Sequence, residues 1–133
     1  MSSLGTPPAK IRFFQPDPAL APYISTLYLT EIASPDGQPV SDYLHPEWAN
    51  LRFVSGGPLH AGIGPEAPAI MPSFIATGPT SHASYFAAAQ MRTWGVGILP
   101  LGWAKLLGAR ASDYSDRFVD GMTDPVFARF AGL

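Results

Sequence analysis

A chain of 133 residues is long enough for one domain around a single core and too short for two. Hydrophobic residues make up 47% of it and charged residues only 14%, so considerable apolar area is either exposed or covered by a partner, and a net charge of -2 offers no broad basic face to a phosphate backbone. Cysteine is absent, which excludes disulfide scaffolds, thiolate metal sites and thiol catalysis together and fits a reducing compartment.

The first nine residues, rich in Ser, Gly and Pro, read as a disordered leader without the charged-then-apolar pattern of a signal peptide. "IRFF" is a short strand, and "DPALAPYI" is one or two helical turns, with Asp17 as cap and Pro18 in the first turn. "STLYLTEIA" (25–33) is β-branched and aromatic, a strand by propensity, and "SPDGQP" closes it as a turn. From Val40 onward short strand-like runs recur at spacings that suit a barrel or sandwich. In "WANLRFVS" (48–55), Ala49, Leu51 and Phe53 point one way and Trp48, Asn50, Arg52 and Val54 the other. "LHAGI" and "PSFIATG" (72–78) are further strands. "HASYFAAAQ" (82–90) is ambiguous between helix and strand; as a strand it forms an antiparallel meander with "TWGVGIL" (93–99) through a short turn at 90–92. Pro100 ends that strand because it cannot donate to a ladder. "LGWAKLLG" then places Leu101, Ala104 and Leu107 on one side at helical spacing, with Gly108 as the stop. Ser112 and Asp113 can cap another turn, and "TDPVFARFAGL" opens a last short helix at Asp124-Pro125. No stretch approaches the roughly 20 apolar residues that span a bilayer, which predicts a cytoplasmic protein with no membrane partner.

Three segments in this order carry a resemblance. "FFQPDPALAPYISTLYLTE", "FIATGPTSHASY" and "WGVGILPLGWAKLLGARASDYSDRFVD" together resemble the N-terminal regulatory domain of one branch of the AraC-family transcriptional regulators, over about residues 11–121. The last is the best match, to that family's Gly-Val-x-hydrophobic-x-Pro-x-Gly stretch. The resemblance implies a mainly β, cupin-like barrel or sandwich with short peripheral and C-terminal helices. It implies a sensor and dimerisation domain over 10–121, with 122–133 starting a helical connection to a DNA-binding domain that this chain lacks. DNA binding would then belong to that missing domain.

Convergent chemistry is sparse. His45, His60 and His82 do not show the His-x-His spacing a metal-binding cupin needs; "HPE" at 45–47 is the nearest approach, broken by its proline, so no metal or other cofactor is expected. Gly-x-Ser-x-Gly is absent, "GIG" at 62–64 is followed by no helix or lysine, and Asp113, Asp116 and Asp120 sit at turn spacing, so no catalytic residue is assigned and the chain reads as a non-enzyme. A small-molecule effector site is the more interesting reading: Trp48, Asn50 and Arg52 share a face, and Tyr85 and Trp94 lie on nearby strands, an aromatic wall with one cation and one amide that suits a small anionic or polar aromatic guest. Against it, such alternation ordinarily marks a solvated outer face with Leu51 and Phe53 filling the core. Trp103, Leu107 and Phe127 either pack on the chain's own sheet or form a homodimer contact. Two other readings remain open at this point, a small cupin-like enzyme and an interaction domain without a pocket.

Overall fold

The computed structural model describes residues 9–131. The leader expected over 1–9 therefore lies outside the described residues, except for Ala9, which opens the first strand. The last two residues of the 122–133 connection also fall outside them.

Among the described residues, ten antiparallel strands form two sheets. In chain order they are β1 (Ala9–Phe14), β2 (Ile24–Ala33), β3 (Val40–Leu44), β4 (Ala49–Ser55), β5 (His60–Ile63), β6 (Ala69–Ile70), β7 (Phe74–Thr77), β8 (Ser84–Ala88), β9 (Gln90–Ile98) and β10 (Phe118–Asp120). The larger sheet runs β1-β2-β9-β4-β7-β10 and the smaller β3-β8-β5-β6. The mainly β class expected from the sequence holds, as a sandwich: the sheets do not close into a barrel. The meander expected between 82–90 and 93–99 does not form. β8 pairs with β3 and β5 in the small sheet, β9 pairs with β2 and β4 in the large one, and Ala89 alone carries the chain across. Local alternation makes a strand but does not choose its partner, and the crossing lets inward residues of both strands meet in one interior.

Two apolar clusters hold the layers. Between the sheets, Ile32, Leu59, Ile75, Ala88 and Met91 pack together near the Ala89 crossing. On the other face of the large sheet, Leu51, Phe74, Ala76, Ile98 and Val119 are covered by the segment after β9. That segment starts as α1 (Pro100–Gly102), runs into a π-helical turn over Trp103–Leu107, and stops at Gly108 in the left-handed conformation (φ 66°). The apolar face expected at Leu101, Ala104 and Leu107 is displaced: Leu101 and Ala104 are exposed, while Trp103 and Leu107 are buried. The wider π turn rotates successive side chains away from ordinary 3.6-residue spacing. Trp103, Leu107 and Phe127, three candidates for a dimer contact, all belong to this intramolecular core, with Phe127 wholly buried. Their aromatic partners sit at Trp103–Phe127 5.9 Å and Tyr114–Phe127 5.3 Å, and the Trp103 indole donates to the Ala109 carbonyl at 2.8 Å. The helix expected over "DPALAPYI" is a run of turns in which Asp17 accepts from the Ala19 amide at 2.9 Å.

Candidate functional site

The site arises from a thinning of side chains along β9. Its inward positions read Met91, Thr93, Gly95 and Gly97, so the sheet face is filled at one end and bare at the other. The registers lay out the consequence row by row. Ile32 faces Met91 in the packed layer; then come Thr30, Thr93 and Val54; then Tyr28, Gly95, Arg52 and Ile75; then Thr26, Gly97, Asn50 and Thr77. Apolar packing gives way to polar groups along the strands, and a cavity of about 420 Å³ opens between the sheets. Ala61, Tyr85 and Phe86 line it from the small sheet, with Ile11 and Phe13 of β1 at its side.

Gly95 is required where it stands. A methyl group there would fall inside contact distance of the Tyr28 ring, which lies across the bare backbone. Spanning that gap, the Tyr28 hydroxyl donates to Asn50 Oδ1 at 2.7 Å, and Asn50 Nδ2 donates to the Trp48 carbonyl at 3.1 Å. Beside them the Arg52 guanidinium sits 5.9 Å from the Tyr28 ring centroid and donates through Nη2 to Glu47 Oε1 at 2.6 Å. The Arg52 side chain is only 12% exposed and that of Glu47 31%.

Electrostatics follow from that burial. Loss of water pushes the Tyr28 phenol above its ordinary pKa, and Glu47 adds to this while Arg52 opposes it, so the hydroxyl stays neutral. Burial works against the Arg52 charge, but the Glu47 carboxylate beside it helps hold the guanidinium above its usual value. Joined at 2.6 Å, Arg52 and Glu47 form an ion pair that is neutral in sum. Glu47 is held by more than Arg52: its amide donates to Thr80 Oγ1 and the Thr80 amide donates back to the Glu47 carbonyl, each at 2.9 Å. The Thr80 loop is fixed in turn by Asp116, which accepts from the Ser81 amide and hydroxyl at 2.7 Å each. Those bonds, the backbone one foremost, hold the Asp116 carboxyl below the ordinary carboxylate range.

Of the candidate effector residues, Trp48, Asn50, Arg52 and Tyr85 line the cavity and Trp94 does not. Trp94 projects from the opposite face of β9, half-exposed and 6.0 Å from Phe14. Asn50 and Arg52 do not form the solvated face that their alternation ordinarily signals: Asn50 is 5% exposed and both look between the sheets. Leu51 and Phe53 do fill a core, but it is the second one, beneath the C-terminal segment. Sequence reasoning missed Tyr28, Glu47, Thr93 and the two glycines. The available signal was "GVG" at 95–97, since glycine inside a strand marks a close approach of something else. His45, His60 and His82 are all exposed, and among the described residues no group of three or more His, Cys, Asp or Glu could hold a metal ion. No protein-family model matches the chain, and no curated protein matches it.

Proposed function

We propose that the chain is a small-molecule-binding sensor domain without catalytic activity of its own, the regulatory portion of an AraC-like transcriptional regulator. The observation that carries this reading is the inter-sheet cavity ending on the buried Tyr28, Asn50, Arg52 and Glu47 set. A concave apolar space with a few fixed polar groups is what small-ligand sites are made of. Those polar groups satisfy one another and include no nucleophile paired with a base, which suits binding rather than turnover. The regulatory part of the reading rests on the ordered sequence resemblance, with DNA contacted by a helix-turn-helix domain outside these residues. A guest that favours one arrangement of the sandwich would shift the population presented to such a domain. A homodimer would not use Trp103, Leu107 and Phe127, which are buried within the chain; the exposed β1 edge, with Ile11, Phe13 and Phe14, is an apolar surface that a second copy could cover.

Ala61→Phe tests the binding part, because Ala61 lines the cavity and a benzyl group there would project into it and obstruct it. Compounds that raise the Tm of the wild-type chain, where a guest at a hundredfold excess over Kd adds about 2.7 kcal/mol, should lose most of that effect in the obstructed variant. Stabilisation that survives the plug refutes the cavity as the site. The regulatory part fails if the parent gene encodes no helix-turn-helix pair.

A further inference from the structure

Resting on the cavity reading above, we infer that the guest is a neutral, chiefly apolar molecule with one hydrogen-bonding head, of the alcohol or ketone class, and not an anion. Among the described residues, Arg52 and Glu47 are the only charged ones that line the cavity, and they are joined at 2.6 Å. An entering carboxylate would therefore meet a cation already paired, and beside it a carboxylate fixed in place through Thr80. It would lose its hydration and gain like-charge repulsion in return. An ammonium ion fares no better, since Glu47 is committed to Arg52 and the guanidinium repels it.

What the cavity lacks is a partner for a neutral hydroxyl. Thr93 lines it, is 3% exposed, and its Oγ1 makes no hydrogen bond. A threonine hydroxyl both donates and accepts, so, once a turn about χ1 brings Oγ1 to the cavity wall, an alcohol or carbonyl head satisfies it without importing charge. The rest of the guest would lie along Ile75, Phe86 and Met91, which offer it no polar side-chain atom of their own beyond the thioether.

Three probes of one shape and different charge decide the matter: 1-decanol, decanoate and decylammonium, each titrated below its aggregation threshold and followed by calorimetry at pH 7.5. In the wild-type chain, 1-decanol should bind at least tenfold more tightly than either ion. Glu47→Gln frees Arg52 and should raise decanoate affinity at least tenfold while leaving 1-decanol little changed. The backbone bonds between residue 47 and Thr80 do not need the carboxylate, so this variant keeps its loop. Thr93→Val should weaken 1-decanol several-fold and leave decanoate unaffected. Decanoate binding as tightly as 1-decanol in the wild type, or gaining nothing in Glu47→Gln, overturns the inference while the cavity reading survives, provided Ala61→Phe blocks the binding. If no probe binds, or Ala61→Phe leaves 1-decanol affinity intact, both readings fall together.

Discussion

On one face of the six-stranded sheet, Leu51, Phe74, Ala76 and Ile98 meet Trp103, Leu107 and Phe127 in a tight aromatic and aliphatic layer, with Phe53 stacked on Phe74 at 4.5 Å. On the other, the same strands present Tyr28, Asn50, Arg52 and Thr93 to a space that the second sheet does not fill. Both faces are covered by another layer, yet only one is built to be solid. The difference comes from single positions on β9: Trp94, Val96 and Ile98 on the first face against Thr93, Gly95 and Gly97 on the second. A strand interior with two glycines contributes no packing there. The fold holds this empty volume because the opposite face supplies the stability.

That contrast can be broken most forcefully at Phe127. Phe127→Ala removes a fully buried ring and should lower unfolding free energy by about 3–5 kcal/mol, read as a drop in the urea midpoint at unchanged m. A loss below about 1 kcal/mol would mean that this face is not the rigid one. Gly95→Ala attacks the hollow face; the added methyl must displace the Tyr28 ring, at a cost of roughly 1–3 kcal/mol and with the Tyr28–Asn50 bond broken. If tyrosine fluorescence and stability both stay at wild-type values, the ring does not lie across Gly95. Thr93→Val should be smaller and of opposite sign, neutral or stabilising by up to about 1 kcal/mol, since it removes a buried hydroxyl that lacks a partner. A clear destabilisation would show that the hydroxyl is engaged in the guest-free protein.

The smallest effect belongs to Asp116, and it depends on pH. Its folded carboxyl titrates below the unfolded value of about 3.9, so its stabilisation is fully present above that pH and disappears as pH falls through the folded pKa. Asp116→Asn should be less stable than wild type at pH 7, and the gap should close in strong acid. A gap independent of pH would remove the charge from the explanation.

Much of the strand pattern was legible because alternation and proline are local signals. Gln90–Ile98 and Ile24–Ala33 lie where β-branched and aromatic residues cluster, and Pro100 stops β9 as its missing amide demands. β6 and β10 were not legible, with two and three residues too short to carry a period. The site was half legible. The shared face of Trp48, Asn50 and Arg52 is written in the sequence, but whether that face meets water or another sheet depends on partners far along the chain. Residues after Pro100 cover the Leu51 and Phe53 side of β4 while the small sheet covers the Asn50 and Arg52 side, so both are buried. Glu47 was weighed only within "HPE" at 45–47, and its pairing with Arg52 was missed because a carboxylate in a loop looks solvated until Arg52 is folded beside it.

Ala89 sets a mechanical asymmetry. It links the layers by one residue, its carbonyl accepts from the Ser34 amide at 2.8 Å, and Gly57 sits so close to Gln90 that a side chain there would strike backbone. At the far end of β4 and β9, the layers are joined by longer spans, residues 45–48 and 78–83, fastened to each other through Glu47 and Thr80. The sandwich is therefore a book with its spine at Ala89 and its clasp at Thr80.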